Sequence, residues 1–230
     1  MKILAIDTTA KAASVALCED DKLIALNTQI TPVTHTVSIL PMIDAMLKTT
    51  ETNISDIDLF ACSKGPGSFT GVRIGAAQIK GLAFGKNKPV CGTSTLKSMA
   101  YQFSGFADGT VICPVMDARR DQVYTAIFKI ENGLPCRKCE DSAMSVDELK
   151  SLLEKYKEPI YFTGDGYALV KSRILLSNVC ETNELLRHQN AYGVALCAYE
   201  DCKNGENIAD AITLMPTYLR PPQAEQAKNK

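Results

Sequence analysis

Apolar residues recur along this chain in two patterns, short continuous runs that suit buried strands and three- and four-residue spacings that suit one face of a helix. The first run, Lys2-Ile3-Leu4-Ala5-Ile6-Asp7, predicts a strand buried on both faces that delivers a carboxylate to its C-terminal edge. Runs at 14–18 and 23–27, separated by Asp20-Asp21, predict two more strands, so the chain opens as a meander. Thr36 or Ser38 then caps a helix to about residue 48, with Pro41 in or near its first turn, where a missing N–H matters least. Val37, Leu40, Ile43 and Leu47 form the stripe assigned to the core, which leaves Ile39, Met42 and Met46 as a second apolar face. The run at 54–62 returns to the sheet, 88–92 predicts a fifth strand, and 95–103 predicts a helix.

The same order then repeats. The run at 110–117 ends in a carboxylate as the first strand does, 122–130 predicts the next strand, and Asn132-Gly133 is a hairpin signal leading to another at 134–139. Ser145 caps a helix with Val146, Leu149, Leu152 and Leu153 apolar, and 159–162 runs as a strand into Gly164-Asp165-Gly166. Asp7 and Asp117 therefore stand at equivalent points of two β-β-β-α-β units. Two such units describe an α/β chain with a duplicated ribonuclease-H-like (actin-like, ASKHA) fold in two lobes. The expected division is 1–105, 106–219 as a second and degenerate lobe, and a frayed polar tail at 220–230, with the C-terminal segment free to pack back on the first lobe.

Within the first lobe lies SKGPGSFTGVRIGAAQIKGLAFG, residues 63–85. Gly65, Pro66 and Gly67 break a buried strand into a loop, Ser68 caps the next helix, and Val72, Ala76, Ile79 and Ala83 share one face. Glycines at 71, 75, 81 and 85 each cost that helix about 1 kcal/mol against alanine, so something must offset them. Gly71 and Gly75, one turn apart, leave a groove for close approach of another backbone. Strand, glycine loop and helix N-terminus also make a possible anion site, although a tight turn followed by a packing helix is the commoner use of such a segment.

Composition narrows the classes of function. The 230 residues are 46% hydrophobic and 22% charged, as in an ordinary soluble globular protein, and no apolar run is long enough to span a membrane. A formal net charge of −1 argues against a stand-alone nucleic-acid binder, so contact with tRNA or any other nucleic acid is expected only through a partner. Nine scattered cysteines without an apolar leader suit reduced thiols and a cytoplasmic location. Cys136 and Cys139 form a CxxC, but a zinc site needs a second ligand pair and the chain has two histidines, His35 and His188, read as capping or surface residues.

ILAIDTT at the start, SKGPGSFTGVRIG in the centre, GTSTL after the fifth strand, PVMDARRDQVY opening the second unit and PTYLR near the end together resemble the TsaB (YeaZ) family across nearly the whole chain. The resemblance implies a non-catalytic relative of TsaD, which supports that catalytic subunit in forming threonylcarbamoyladenosine (t6A) on tRNAs that read ANN codons. It also implies a TsaE-type ATPase reached through the complex and a homodimer when the chain is alone. In the related enzyme two histidines four residues apart hold a metal, and GTSTLKSMA places Thr95 and Met99 at those positions. The phosphate turns of actin-like kinases are altered in the same way, reading Asp7-Thr8-Thr9-Ala10 and Asp117-Ala118-Arg119-Arg120 without their glycines. Asp7, Thr8, Thr9 and Asp117 are thus at most a residual nucleotide site, with no cofactor expected beyond ATP or ADP at a partner interface. Arg119 or Arg120 is expected to pair with a carboxylate at a charged hairpin end.

The expected partner interface joins Ile39, Met42 and Met46 to Gly71, Val72, Gly75, Gln78 and Ile79, and Gly75→Leu is expected to fill it while leaving the monomer folded. Two other classes stay open on sequence: an ATP-dependent phosphotransferase or metalloenzyme using Asp7, Thr8, Thr9 and Asp117, and a regulator of a glycoprotease-like relative.

Overall fold

The computed structural model describes residues 1–220, and the expectation for the tail falls, Arg220 apart, outside them. Its first unit contains β1 (Lys2–Asp7), β2 (Ala13–Glu19), β3 (Lys22–Gln29), α1 (His35–Thr49), β4 (Leu59–Ser63), α2 (Phe69–Phe84), β5 (Val90–Thr93) and α3 (Thr95–Tyr101). The second contains β6 (Val111–Asp117), β7 (Gln122–Glu131), β8 (Leu134–Ser145), α4 (Val146–Leu153), β9 (Ile160–Thr163), α5 (Tyr167–Arg173), β10 (Val179–Cys180), α6 (Glu184–Arg187), α7 (Ala191–Lys203) and β11 (Ile208–Ala209). One sheet runs β11-β5-β4-β1-β2-β3 and the other β10-β9-β6-β7-β8. In each, an antiparallel meander continues into parallel strands through a central strand, β1 or β6, that ends in aspartate. That shared topology is the duplicated ribonuclease-H-like fold.

Both sheets are covered on both faces. Leu4, Ile6, Val15 and Phe60 pack under α1 and α2, and the opposite face, through Ile3, Ala5, Ala16 and Ala61, packs under α7. The second sheet buries Val115, Ile127 and Phe162 under α4 and α5, and Ile112, Met116 and Phe128 under α3. Central strands covered on both faces need continuous apolar runs, which is why 2–7 and 111–116 are nearly unbroken. The two inner helices are exchanged: α3 comes from the first half and packs on the second sheet, whereas α7 comes from the second half and packs on the first. α7, β11 and the chain to Tyr218 thus lie on the first lobe, so the C-terminal segment packs back across the 105/106 division.

Local differences have local causes. Residues 54–56 form a single 3-10 turn closed by an Asn53–Asp56 capping box rather than the start of a strand, and β8 extends to Ser145 through irregular pairing with β7. Pro41 sits in the second turn of α1 on its exposed side, so the helical bond it cannot make is lost toward water.

Candidate functional site

Two places follow from the sequence: the cleft where β1 and β6 end, and the outer face of α1 and α2. At the first, Asp7 is 1% exposed and both of its carboxylate oxygens are engaged. Thr9 donates to Oδ1 from its amide (2.8 Å) and its hydroxyl (2.7 Å), and the Ser63 hydroxyl donates to Oδ2 (2.6 Å). Burial pushes the Asp7 pKa up, opposed by these donors. Thr8 is committed too, its hydroxyl donating to the Gly71 carbonyl at 2.7 Å. His35 joins this region rather than the surface, with Nε2 2.7 Å from the Ala10 carbonyl. The end of β1 is thus a structural knot that ties β4 and the start of α2 to the central strand.

The knot explains the glycine helix. A Cβ on Gly71 would lie 2.0 Å from the Thr8 carbonyl oxygen, and one on Gly75 2.7 Å from the Thr8 hydroxyl. The close approach that offsets the glycines is made by the chain's own β1 exit, not by a partner helix. The Gly65-Pro66-Gly67-Ser68 loop completes the corner, with Ser68 Oγ accepting from the Gly71 amide at 3.2 Å and the Ser68 amide donating to the Thr9 carbonyl at 2.7 Å.

Across the cleft, the Asp117 side chain is 40% exposed. It accepts from the Arg119 amide at 2.7 Å and lies 3.7 Å from the Arg119 guanidinium, the ion pair expected at this hairpin end. Arg119, Arg120 and Asp121 all have left-handed φ, at 66°, 53° and 56°, in a turn with side chains where a phosphate turn would carry none. The Asp117 amide donates to Asp165 Oδ1 at 3.0 Å, and burial, with the Asp117 charge beside it, raises the Asp165 pKa. The cleft between the two exits has a volume of about 710 Å³ and is lined by Thr9, Lys11, Asp117, Arg120, Tyr124 and Asp165 among others. Of the four residues expected to form a nucleotide site, Thr9 and Asp117 line it, whereas Asp7 and Thr8 are closed off and spent on the fold.

The two positions of GTSTLKSMA compared above with a histidine pair lie in the interior. Thr95 and Met99 are fully buried, and the Met99 Cε lies 2.6 Å from where a Cβ on Gly164 would stand. His188 lies elsewhere, 3.5 Å from Glu184. Cys136 and Cys139 have separate surroundings, Cys136 beside Glu131 and Cys139 against the second-lobe core. Among the described residues, no group of three His, Cys, Asp or Glu side chains is arranged to hold a metal.

The helical face requires a correction. Ile39, Met42 and Met46 are 0%, 4% and 5% exposed and face the sheet together with Ile43. Of the stripe assigned to the core Ile43 is buried as expected, but the rest turns outward, with Val37 64% and Leu40 45% exposed and Leu47 half-buried. Gly71, Val72, Gly75 and Ile79 of α2 are likewise buried, and Gln78 alone of the expected interface residues reaches the surface, in part. The 39-42-43-46 spacing is an unbroken helical stripe, while the alternative is interrupted by Asp44, and that difference was the available signal. Methionine also suits an irregular core gap. The surface left over is an open groove of about 670 Å³ lined by Leu40, Asp44, Leu47, Lys48, Ile54 and Leu82, with Phe84 exposed near the end of α2.

Residues 28–227 match the family model for TsaD, tRNA N6-adenosine threonylcarbamoyltransferase. The tRNA threonylcarbamoyladenosine biosynthesis protein TsaB of Bacillus subtilis is 31% identical over 98% of this chain and 96% of its own length. This chain belongs to the TsaB (YeaZ) family. TsaB of Escherichia coli is 44% identical over 58% of each chain. The structure of YeaZ from Pseudomonas aeruginosa superposes with a TM-score of 0.81 at 26% identity, covering 95% of this chain and all of that one. The fold and both lobes are therefore those of a TsaB protein, and the family is TsaD-like in its wider kinship.

Proposed function

We propose that this chain is the accessory subunit of the complex that forms t6A on tRNA, and that it supports a TsaD-type catalytic subunit by docking through the outer face of α1 and α2. The observation that carries this reading is the end-to-end match to B. subtilis TsaB. The geometry supports the same role. Asp7 and Thr8, which a phosphotransferase would turn toward ligand, are bonded to the chain's own Ser63, Thr9 and Gly71. The apolar groove of α1 and α2 is the kind of surface that association covers. Val37, Leu40, Leu47 and Leu82, rather than Ile39, Met42 and Met46, carry the contact. In this reading the isolated chain turns over no ATP and holds no metal, a second copy uses the same groove when no TsaD-type subunit is present, a TsaE-type ATPase joins through the complex, and tRNA is met through the partner in the cytoplasm.

The test is depletion of this protein followed by measurement of t6A in bulk tRNA. The modification falls and is restored by the wild-type chain but not by Leu40→Asp. Normal t6A after depletion, or ATP turnover by the pure protein that disappears in Asp7→Ala, contradicts the proposal.

A further inference from the structure

After β11 the chain does not end on the first lobe. It runs along α2, where the Lys80 ammonium donates to the carbonyls of Ile212 (2.9 Å) and Leu214 (3.2 Å), and the Leu214 side chain enters the first-lobe core. The Thr217 amide then donates to the Lys64 carbonyl at 2.7 Å. Gly65, at φ 119°, accommodates this pass, because a Cβ there would lie 2.2 Å from the Thr217 carbonyl oxygen. Tyr218 stacks on Phe69 with ring centroids 4.9 Å apart, and Arg73 sits 3.8 Å over the Phe69 ring while its Nε donates to the Tyr218 hydroxyl at 2.8 Å. Two residues later the chain is on the other lobe. Arg220 donates to the Ala118 carbonyl at 3.1 Å and to the Gln122 side chain, and its guanidinium lies 5.8 Å from the Tyr124 ring centroid.

We propose that residues 217–220 are a latch across the mouth of the inter-lobe cleft, with Tyr218 as its catch on the first lobe and Arg220 as its hook on the second. Two residues of extended chain reach about 7 Å. The backbone between the two anchors therefore has little slack while both ends hold. The base of the cleft is already cemented by α3 and the turn after it, whose Leu96, Met99 and Phe103 pack on Ile112, Met116 and Phe128 of the second sheet. What the latch governs is the mouth, where the hook holds both ends of the left-handed 119–121 turn. That turn is otherwise closed on itself by the bonds from the Ala118 amide to the Gln122 carbonyl and from the Gln122 amide to the Arg119 carbonyl. A turn of three non-glycine left-handed residues persists where its surroundings over-determine it, and Arg220 supplies part of that constraint. The latch requires no partner and is separate from the docking role.

Amide hydrogen exchange on the full-length chain tests it. Arg220→Ala raises exchange at Ala118 and Gln122 about tenfold, by local opening, with the amides of β1 and β4 unchanged. Tyr218→Ala decides the matter, because Tyr218 contacts the first lobe and not the turn. A latch transmits its loss, so exchange at Ala118 and Gln122 rises in Tyr218→Ala as well, and adding Arg220→Ala raises it little further. Tyr218→Phe and Arg220→Lys, which keep the ring and the charge, give the same pattern at smaller amplitude should an alanine variant fold poorly. Exchange at the turn that is unmoved by Tyr218→Ala and Tyr218→Phe overturns the latch and leaves two unconnected surface contacts.

Discussion

The exits of β1 and β6 occupy the same place in two sheets of the same topology, and each presents an aspartate, yet the two carboxylates do different work. Asp7 is sealed under the start of α2 and bonded to Ser63 and Thr9, whereas Asp117 is half open to the cleft and steadies a charged turn. The difference traces to the residues packed around each strand exit. At the end of β1, the small residues Gly67 and Gly71 let the loop and α2 close directly over the chain. At the end of β6, Arg119 and Arg120 hold that space open and bring charge to it. Duplication thus preserves the position of a residue without preserving its use.

The comparison breaks hardest at Gly71. Gly71→Ala puts a methyl group against a backbone oxygen that cannot move away, and should cost about 4 kcal/mol or prevent folding, read by urea denaturation. Gly75→Leu meets the Thr8 hydroxyl for the same reason, so it tests the β1 knot rather than the partner interface, contrary to the sequence-based expectation. Met42→Ala should come next at about 3 kcal/mol, the cost of a cavity in the first-lobe core, while Val37→Ala on the outward stripe should change little.

Asp7→Ala should cost about 2 kcal/mol at pH 7, because three buried donors lose their acceptor, against about 0.5 kcal/mol or less for Asp117→Ala. The pH dependence carries a sign. A carboxylate whose pKa is raised on folding contributes most below its unfolded value, ordinarily 3.8, and loses that contribution as pH rises through the folded value. The advantage of the wild type over Asp7→Ala should therefore widen in acid. Glu158 behaves oppositely: the hydrogen bond from the Lys129 ammonium holds its pKa down to about 2. Its contribution is present above the unfolded value, ordinarily 4.5, and is lost as pH falls toward 2, so Lys129→Met should remove a small acid-side decline in melting temperature. An acid titration of the two variants separates the lobes.

Much of this arrangement is written in local pattern. The paired runs ending at Asp7 and Asp117, the hairpin at Asn132-Gly133 and the caps at Ser68 and Ser145 each depend on nearby residues, and together they specify two sheets of one topology. The inward side of α1 is harder to read because the helix carries two apolar stripes, and the one sequence signal that separates them is the interruption of the outer stripe by Asp44. The course of α7 across to the first sheet, and of residues 217–220 across the cleft, depends on contacts between residues far apart in sequence, such as Ser14 with Ala191 and Gln122 with Arg220. Periodicity holds no record of such pairings. The purpose of Gly71 was legible as a need for close approach, but not the identity of the backbone that approaches.

The central claim, that this TsaB-family chain works by docking a TsaD-type subunit on the outer face of α1 and α2, is tested most directly by titrating a TsaD-type subunit against the wild type, Leu40→Asp and Asp117→Ala by calorimetry. Leu40→Asp should weaken binding by about thirtyfold, as for an apolar anchor lost from an interface centre, with its melting temperature unchanged and Asp117→Ala binding as tightly as the wild type. Undiminished affinity in Leu40→Asp, with binding lost in Asp117→Ala instead, would contradict the claim and move the interface to the cleft.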